Sequence, residues 1–154
     1  MGVAVLEGRA LVYHGVKTLR WRHSPHDGLQ EGRRLVLHLI RDFWPDILAV
    51  ETAFFARSRN AALLNLLVEE IRAVGMERGV RLLGFAPSTV KKGICGDGRA
   101  TKYQVAEAVV ARYPELKVYL RQNRKWKERY YGNMFDAVAV GIVARLTSSV
   151  SVVG

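Results

Sequence analysis

The stretch Ile47-Leu48-Ala49-Val50-Glu51-Thr52-Ala53-Phe54-Phe55-Ala56-Arg57-Ser58-Arg59 decides how this chain is read. Its first four residues are aliphatic, they follow Pro45-Asp46, and they end on a carboxylate, which predicts a short buried strand over Ile47–Glu51. Ligand sites of open α/β sheets collect outside the carboxyl ends of their strands, so Glu51 sits where a ligand would be met. Phe54, Phe55, Arg57 and Arg59 then bring aromatic surface and positive charge to the same place. An acid, rings and cations delivered together suit a metal ion, unstacked bases and phosphates respectively.

The elements around this strand predict an alternating α/β chain. Gly2–Glu7 and Ala10–Thr18 are rich in Val and Leu, are separated by Gly8-Arg9, and read as a hairpin. His23–Gly28 reads as a loop, and Leu29–Trp44 as a helix ended by Pro45. Asn60–Arg78 reads as a long helix whose apolar residues cover so much of its surface that two sides must be covered, one of them by a second subunit. Val80–Ala86 is a second short strand stopped by Pro87, and Gly93–Gly98 a glycine-containing loop. Thr101 and Gln104 form a capping box that opens a helix to about Arg112. Arg121–Arg129 is a basic link containing Trp126, and the last helix spans Asn133 to Leu146. Hairpin, helix, strand, helix, strand and helices argue an α/β sheet with antiparallel strands first and parallel ones after. Neither a repeat nor a domain linker interrupts it, so residues 1–154 are expected to be one domain.

The 24 Lys+Arg residues outnumber the 14 Asp+Glu, and the formal net charge of +10 favours a polyanionic partner, nucleic acid first. One cysteine, Cys95, excludes an internal disulfide and a cysteine-rich zinc site, so a reducing cytoplasm is the expected location. No signal peptide opens the sequence, and the apolar run Ala137–Ala144 is too short to span a bilayer. His14, His23, His26 and His38 show no metal-ligand spacing.

Asp136, beside Phe135 and Ala137-Val138-Ala139-Val140, is an acid on an otherwise apolar helix and needs a partner, a metal or an edge position. Alone, Asp136 or Glu51 is more often a rim or capping residue. Together, with no cationic mate evident in the sequence, they point to a hard divalent ion, Mg²⁺ or Mn²⁺, held by oxygens. Val90–Lys102 combines Lys91, Lys92, Arg99 and Lys102 with glycines and a helix N-terminus, a mixture suited to phosphates, though a solvated basic loop has the same composition. Phe54 and Phe55 could stack on unpaired bases, or simply pack.

Asp46–Ala62, Pro87–Val105 and Phe135–Val140, in this order and spacing, resemble the RuvC family of Holliday junction resolvases over roughly Gly2 to Leu146. The resemblance implies a ribonuclease H-like mixed sheet flanked by helices, a homodimer, and symmetric, metal-dependent cleavage of four-way DNA junctions. A branch-migration helicase is the further partner it suggests. By position, Glu51 and Asp136 would be metal ligands, and Asn133 would fall on the first acid of the family's D-x-x-D-A motif, offering an oxygen without charge. Phe54 would stack near the junction centre, and Lys91, Lys92, Arg99 and Lys102 would contact phosphates. The family's first strand, which ends in Asp-Pro-Gly, has no counterpart here, since Gly2–Glu7 matches its second strand and Ala10–Thr18 its third. Slow or absent cleavage in Mg²⁺ is the corresponding expectation. The resemblance implies two readings, a junction endonuclease or a branched-DNA-binding protein that has lost its chemistry, and the charge alone leaves a third, a basic α/β RNA-binding protein.

Overall fold

The computed structural model describes residues 1–21, 24–52, 59–120 and 125–150. The chain divides into two compact units, Met1–Lys17 with Pro87–Gly154, and Thr18–Ala86.

The first unit is built on a hairpin. Strands β1 (Gly2–Glu7) and β2 (Ala10–Val16) pair antiparallel from Gly2↔Val16 to Glu7↔Ala10, with an irregularity between Val5 and Leu6. Gly8, at φ +57°, makes the turn in the left-handed region that glycine adopts without strain. The ladder stops two residues before the expected Thr18, and the Lys17 N–H closes it by donating to the Met1 carbonyl at 2.8 Å. One face of β1 lies against the long helix α6, Lys125–Val150. The approach is so close that a Cβ on Gly2 would meet the Asn133 carbonyl oxygen at 1.8 Å, and one on Gly141 would meet Leu6 Cδ1 at 2.6 Å. Met134, Val138, Ala139 and Ile142 of α6 are almost wholly buried.

Helix α3 (Pro87–Cys95) joins this core through Val90 and Ile94, and α4 (Lys102–Arg112) through Val105, Ala106 and Val109. A 3₁₀ turn, Pro114–Leu116, inserts the fully buried Leu116, and the short α5 (Lys117–Leu120) follows. Two expectations change. The Gly93–Gly98 loop is helical through Cys95, because Gly93 is where α3 approaches Val143 too closely for a side chain (a Cβ would lie 2.9 Å from Val143 Cγ2). Gly96, at φ +77°, then ends the helix with its N–H on the Lys92 carbonyl at 2.9 Å. The last helix starts at Lys125 rather than Asn133, since Lys, Arg and Glu are good helix formers and propagate it backwards through the charged segment. Residues 121–124 of the expected basic link lie outside the described residues.

Gly96 and Gly132 make a matched test. Gly96→Ala should cost roughly 1–2 kcal/mol, because glycine adopts its φ without the strain that a Cβ brings. Gly132 lies inside α6 with open space around it, so Gly132→Ala should stabilise by about 0.5–1 kcal/mol. Urea melts of both variants check the opposite signs.

The second unit packs two helices and a parallel strand pair. Helix α1 (Pro25–Phe43) starts four residues earlier than expected, because Ser24 and Asp27 form a capping box in which each side chain meets the other's backbone N–H. Trp44, at φ 49°, ends it, and Pro45 prevents continuation. Strand β3 (Ile47–Glu51) pairs parallel with β4 (Arg81–Phe85) from Ile47↔Arg81 to Glu51↔Phe85. Helix α2 (Arg59–Glu77) packs on α1, where Gly32 leaves room for Leu67, and Arg33 donates to Glu70 at 3.0 Å and Glu77 at 2.5 Å. Antiparallel strands thus come first and parallel strands after, as expected. The four strands form two ladders, β1–β2 and β3–β4, and among the described residues no further strand joins them.

Candidate functional site

In the unit formed by residues 1–17 and 87–154, the site grows from the turn between α3 and α4. Gly96 reverses the chain, Asp97 Oδ1 accepts the Arg99 N–H at 2.9 Å, and Ala100 is buried with its N–H on the Asp97 carbonyl. Thr101 caps α4, its hydroxyl accepting from Gln104 N–H while Gln104 Oε1 accepts from Thr101 N–H. The capped turn fixes Lys102 as the first residue of α4, against α6. There its Nζ donates to Asp136 Oδ2 at 3.2 Å.

The sequence showed no cationic mate for Asp136, and the fold corrects this. Lys102 and Asp136 are 34 positions apart, and only the packing of α4 on α6 makes them neighbours. A surface ion pair of this kind contributes little stability, about 0–1 kcal/mol. Asn133 lies three residues before Asp136 on the same face of α6 and is exposed. Lys92 is exposed on the side of α3 away from the buried Val90 and Ile94, Lys91 is half-buried beside them, and Arg99 is exposed in the turn that follows.

In the unit Thr18–Ala86, Glu51 ends β3 and is exposed, as its strand-end position implied. The next residue, Thr52, turns the other way: it is buried, its N–H extends the ladder to the Phe85 carbonyl at 2.9 Å, and its side chain abuts Gly84. Alternation along the strand therefore separates a solvent-facing acid from a packed threonine. Phe54, with Phe55 and Arg57, lies outside the described residues.

The donor chemistry fits a hard divalent cation. Asp136 presents carboxylate oxygens, its side chain is 29% exposed, and it already faces a cation. Its partner Lys102 is 76% exposed on a flexible stem, so the lysine can withdraw and leave the carboxylate to another positive charge. Among the described residues no three His, Cys, Asp or Glu side chains gather as a ready metal cage. No helix among them is long and apolar enough to cross a membrane.

The sequence model of the family described as crossover junction endodeoxyribonuclease RuvC matches residues 2–143. The chain belongs to the RuvC family. The RuvC of Thermomicrobium roseum is 34% identical over 128 residues, covering 71% of this chain and 69% of the relative. That of Thermus thermophilus is 32% identical over 117 residues, covering 69% and 68%. The match to the RuvC of Pelodictyon phaeoclathratiforme is shorter, 34% over 93 residues, and there the chain spans about half the relative's length, 49%. Two solved structures carry the fold. Thermus thermophilus RuvC superposes with a TM-score of 0.69 at 22% identity, over 95% of this chain and 88% of that one. The structure titled T. thermophilus RuvC in complex with Holliday junction substrate gives 0.74 at 20%, over 96% and 87%. The α/β, ribonuclease H-like architecture expected from the RuvC resemblance is therefore the fold of this chain.

Proposed function

We propose that residues 1–154 act as a single nuclease domain that cleaves four-way DNA junctions in recombination and repair, with divalent metal ions. The RuvC match across residues 2–143 carries this reading, because it spans Glu51, Lys102 and Asp136 in one alignment. The matched relatives are named endodeoxyribonucleases, and one structural neighbour is titled as a complex with a Holliday junction.

Glu51 and Asp136 would hold the metal, with Asn133 as an uncharged oxygen donor beside Asp136. Mg²⁺ or Mn²⁺ bound there supplies alignment of an attacking water and stabilisation of the leaving oxygen. The protein's own groups do the rest. Lys102, exposed on a flexible stem, would contact phosphate once Asp136 no longer holds it, while Lys91, Lys92 and Arg99 would neutralise flanking phosphates. Phe54 stacks on bases unstacked at the branch. The chain acts as a homodimer through α2, whose Leu64, Leu66 and Met76 are 53%, 51% and 77% exposed, large apolar side chains left uncovered after α1 is packed. A cytoplasmic location and a branch-migration helicase partner complete the reading. The inactive-binder alternative, which the missing Asp-Pro-Gly strand and the uncharged Asn133 suggested, is not favoured, since the matched relatives are named endodeoxyribonucleases.

The test is nicking of a synthetic four-way junction against a duplex of the same arm sequence. Paired nicks in Mg²⁺, absent in EDTA, are expected from a species sedimenting as two chains. Lys92→Ala should weaken binding and lower the slope of log affinity against log salt by about 1. Junction binding without any nicking in Mg²⁺ or Mn²⁺ would move the chain to the inactive class. Equal affinity for structured RNA would defeat both DNA readings.

A further inference from the structure

The first turns of α6 carry a feature that this chemistry leaves unused. Tyr130 and Tyr131 meet edge to face with ring centroids 5.2 Å apart, Tyr131 lies tilted against Tyr119 of α5 at 4.8 Å, and Tyr119 meets His14 of β2 edge-on at 5.8 Å. The chain of rings runs outward from the hairpin: His14, Tyr119 and Tyr131 are half-buried, while Tyr130 is 39% exposed. The Tyr130 hydroxyl donates to the Val16 carbonyl at 3.4 Å, so this outermost ring is held at both its edge and its tip.

Cations stand close to that ring along the chain. Lys17 directly follows the residue that accepts from Tyr130, and Arg129 directly precedes Tyr130; both are exposed. Lys127 lies three and four residues before the two tyrosines, on their face of the helix. A satellite core would explain the three inner rings. It does not explain why the outermost is left exposed, with Lys127 one turn away, Arg129 next to it and Lys17 next to its hydrogen-bond partner, on a chain of net charge +10.

We infer that Tyr130, backed by Tyr131, Tyr119 and His14, is a second nucleic-acid contact that stacks on an unpaired DNA base while Lys17, Lys127 and Arg129 meet the adjoining phosphates. The inference rests on the junction-nuclease reading for its ligand, and it adds a site that the strand-end acids and the α3–α4 cations do not include. Two properties favour it. Aromatic stacking is tolerant of base identity, as a structure-selective protein requires. The ring is also already held in place, so little side-chain freedom is lost on binding.

The experiment uses the full chain and two probes: a junction carrying 5-iododeoxyuridine at the branch, and a fluorescent oligo(dT) single strand. Irradiation should cross-link the branch nucleotide to Tyr130, located by mass spectrometry of the peptide. Tyr130→Ala should weaken oligo(dT) binding about 5-fold or more, and Tyr130→Phe, which keeps the ring, should stay near the parent. Equal losses for Ala and Phe would assign the effect to the bond with Val16 and overturn the stacking role. Unchanged affinity in both variants, with cross-links only elsewhere, would overturn the inference while leaving junction binding and the proposed function intact. Failure of the parent chain to bind the junction at all would overturn both.

Discussion

Glu51→Gln is expected to lower nicking of a four-way junction by on the order of 10²–10³-fold, the scale seen when one preorganised electrostatic group is removed from a reacting centre. The substitution keeps the shape of the side chain and removes only its charge, and hard divalent cations depend on that charge for affinity. Stability should stay within about 0.5 kcal/mol, because Glu51 is exposed at the end of β3 and the ladder there is made by backbone groups. Junction affinity in EDTA should be retained or slightly raised, since a negative charge has been removed from a surface that faces phosphates. Asp136→Asn should behave alike, with one difference. It also releases Lys102, now 3.2 Å away, to contact DNA, so metal-free binding should tighten more than for Glu51→Gln. Single-turnover nicking and gel-shift titrations in parallel separate the two effects. Full nicking activity in Glu51→Gln would remove it from the metal site.

Ile142→Ala should cost roughly 2–5 kcal/mol, a large share of the roughly 5–15 kcal/mol that holds a domain together. Ile142 is fully buried on α6, between Gly141, which admits Leu6 of β1, and Val143, which meets Gly93 of α3. Those glycine contacts are already at their closest approach, so the strand and helices cannot move inward to fill the cavity. One turn further along the same helix, Leu146 is 41% exposed, and Leu146→Ala should cost less than about 1 kcal/mol. The comparison holds helix propensity and helix nearly constant and varies burial alone. Urea denaturation of the two variants gives the difference directly, and near-equal midpoints would show that α6 is not the centre of its unit.

Strand β3 was legible to the residue, because an aliphatic run bounded by Pro45 and by a carboxylate has one economical reading. The Thr101–Gln104 capping box placed the start of α4 for a similar reason: the signal is local and its chemistry is complete within four residues. The equivalent box at Ser24 is not legible in the sequence, since Asp27 replaces the usual Glu or Gln and the proline and histidines around it look like a loop. Gly93 misled in the opposite way. A glycine beside two lysines reads as flexibility, and nothing local says that it lies in a helix whose partner, Val143, needs the space. The start of α6 is hidden in the sequence because its first turns are charged and show no apolar periodicity, although they are helical by propensity.

Sequence by itself determined the alternation of elements, the strand-end position of Glu51, the charge that favours a polyanion, and the RuvC resemblance, since each of these is written in residue order and local pattern. Only the tertiary structure decided the partners. It set Lys102 on Asp136, seated β1 on α6 through glycines that leave no room for a Cβ, and assembled His14, Tyr119, Tyr130 and Tyr131 from three separate elements into one chain of rings. The physical reason is the same in each case: charge pairing, close approach and ring contact act over a few ångströms of space, and residues far apart in sequence reach that range only after their helices and strands have packed.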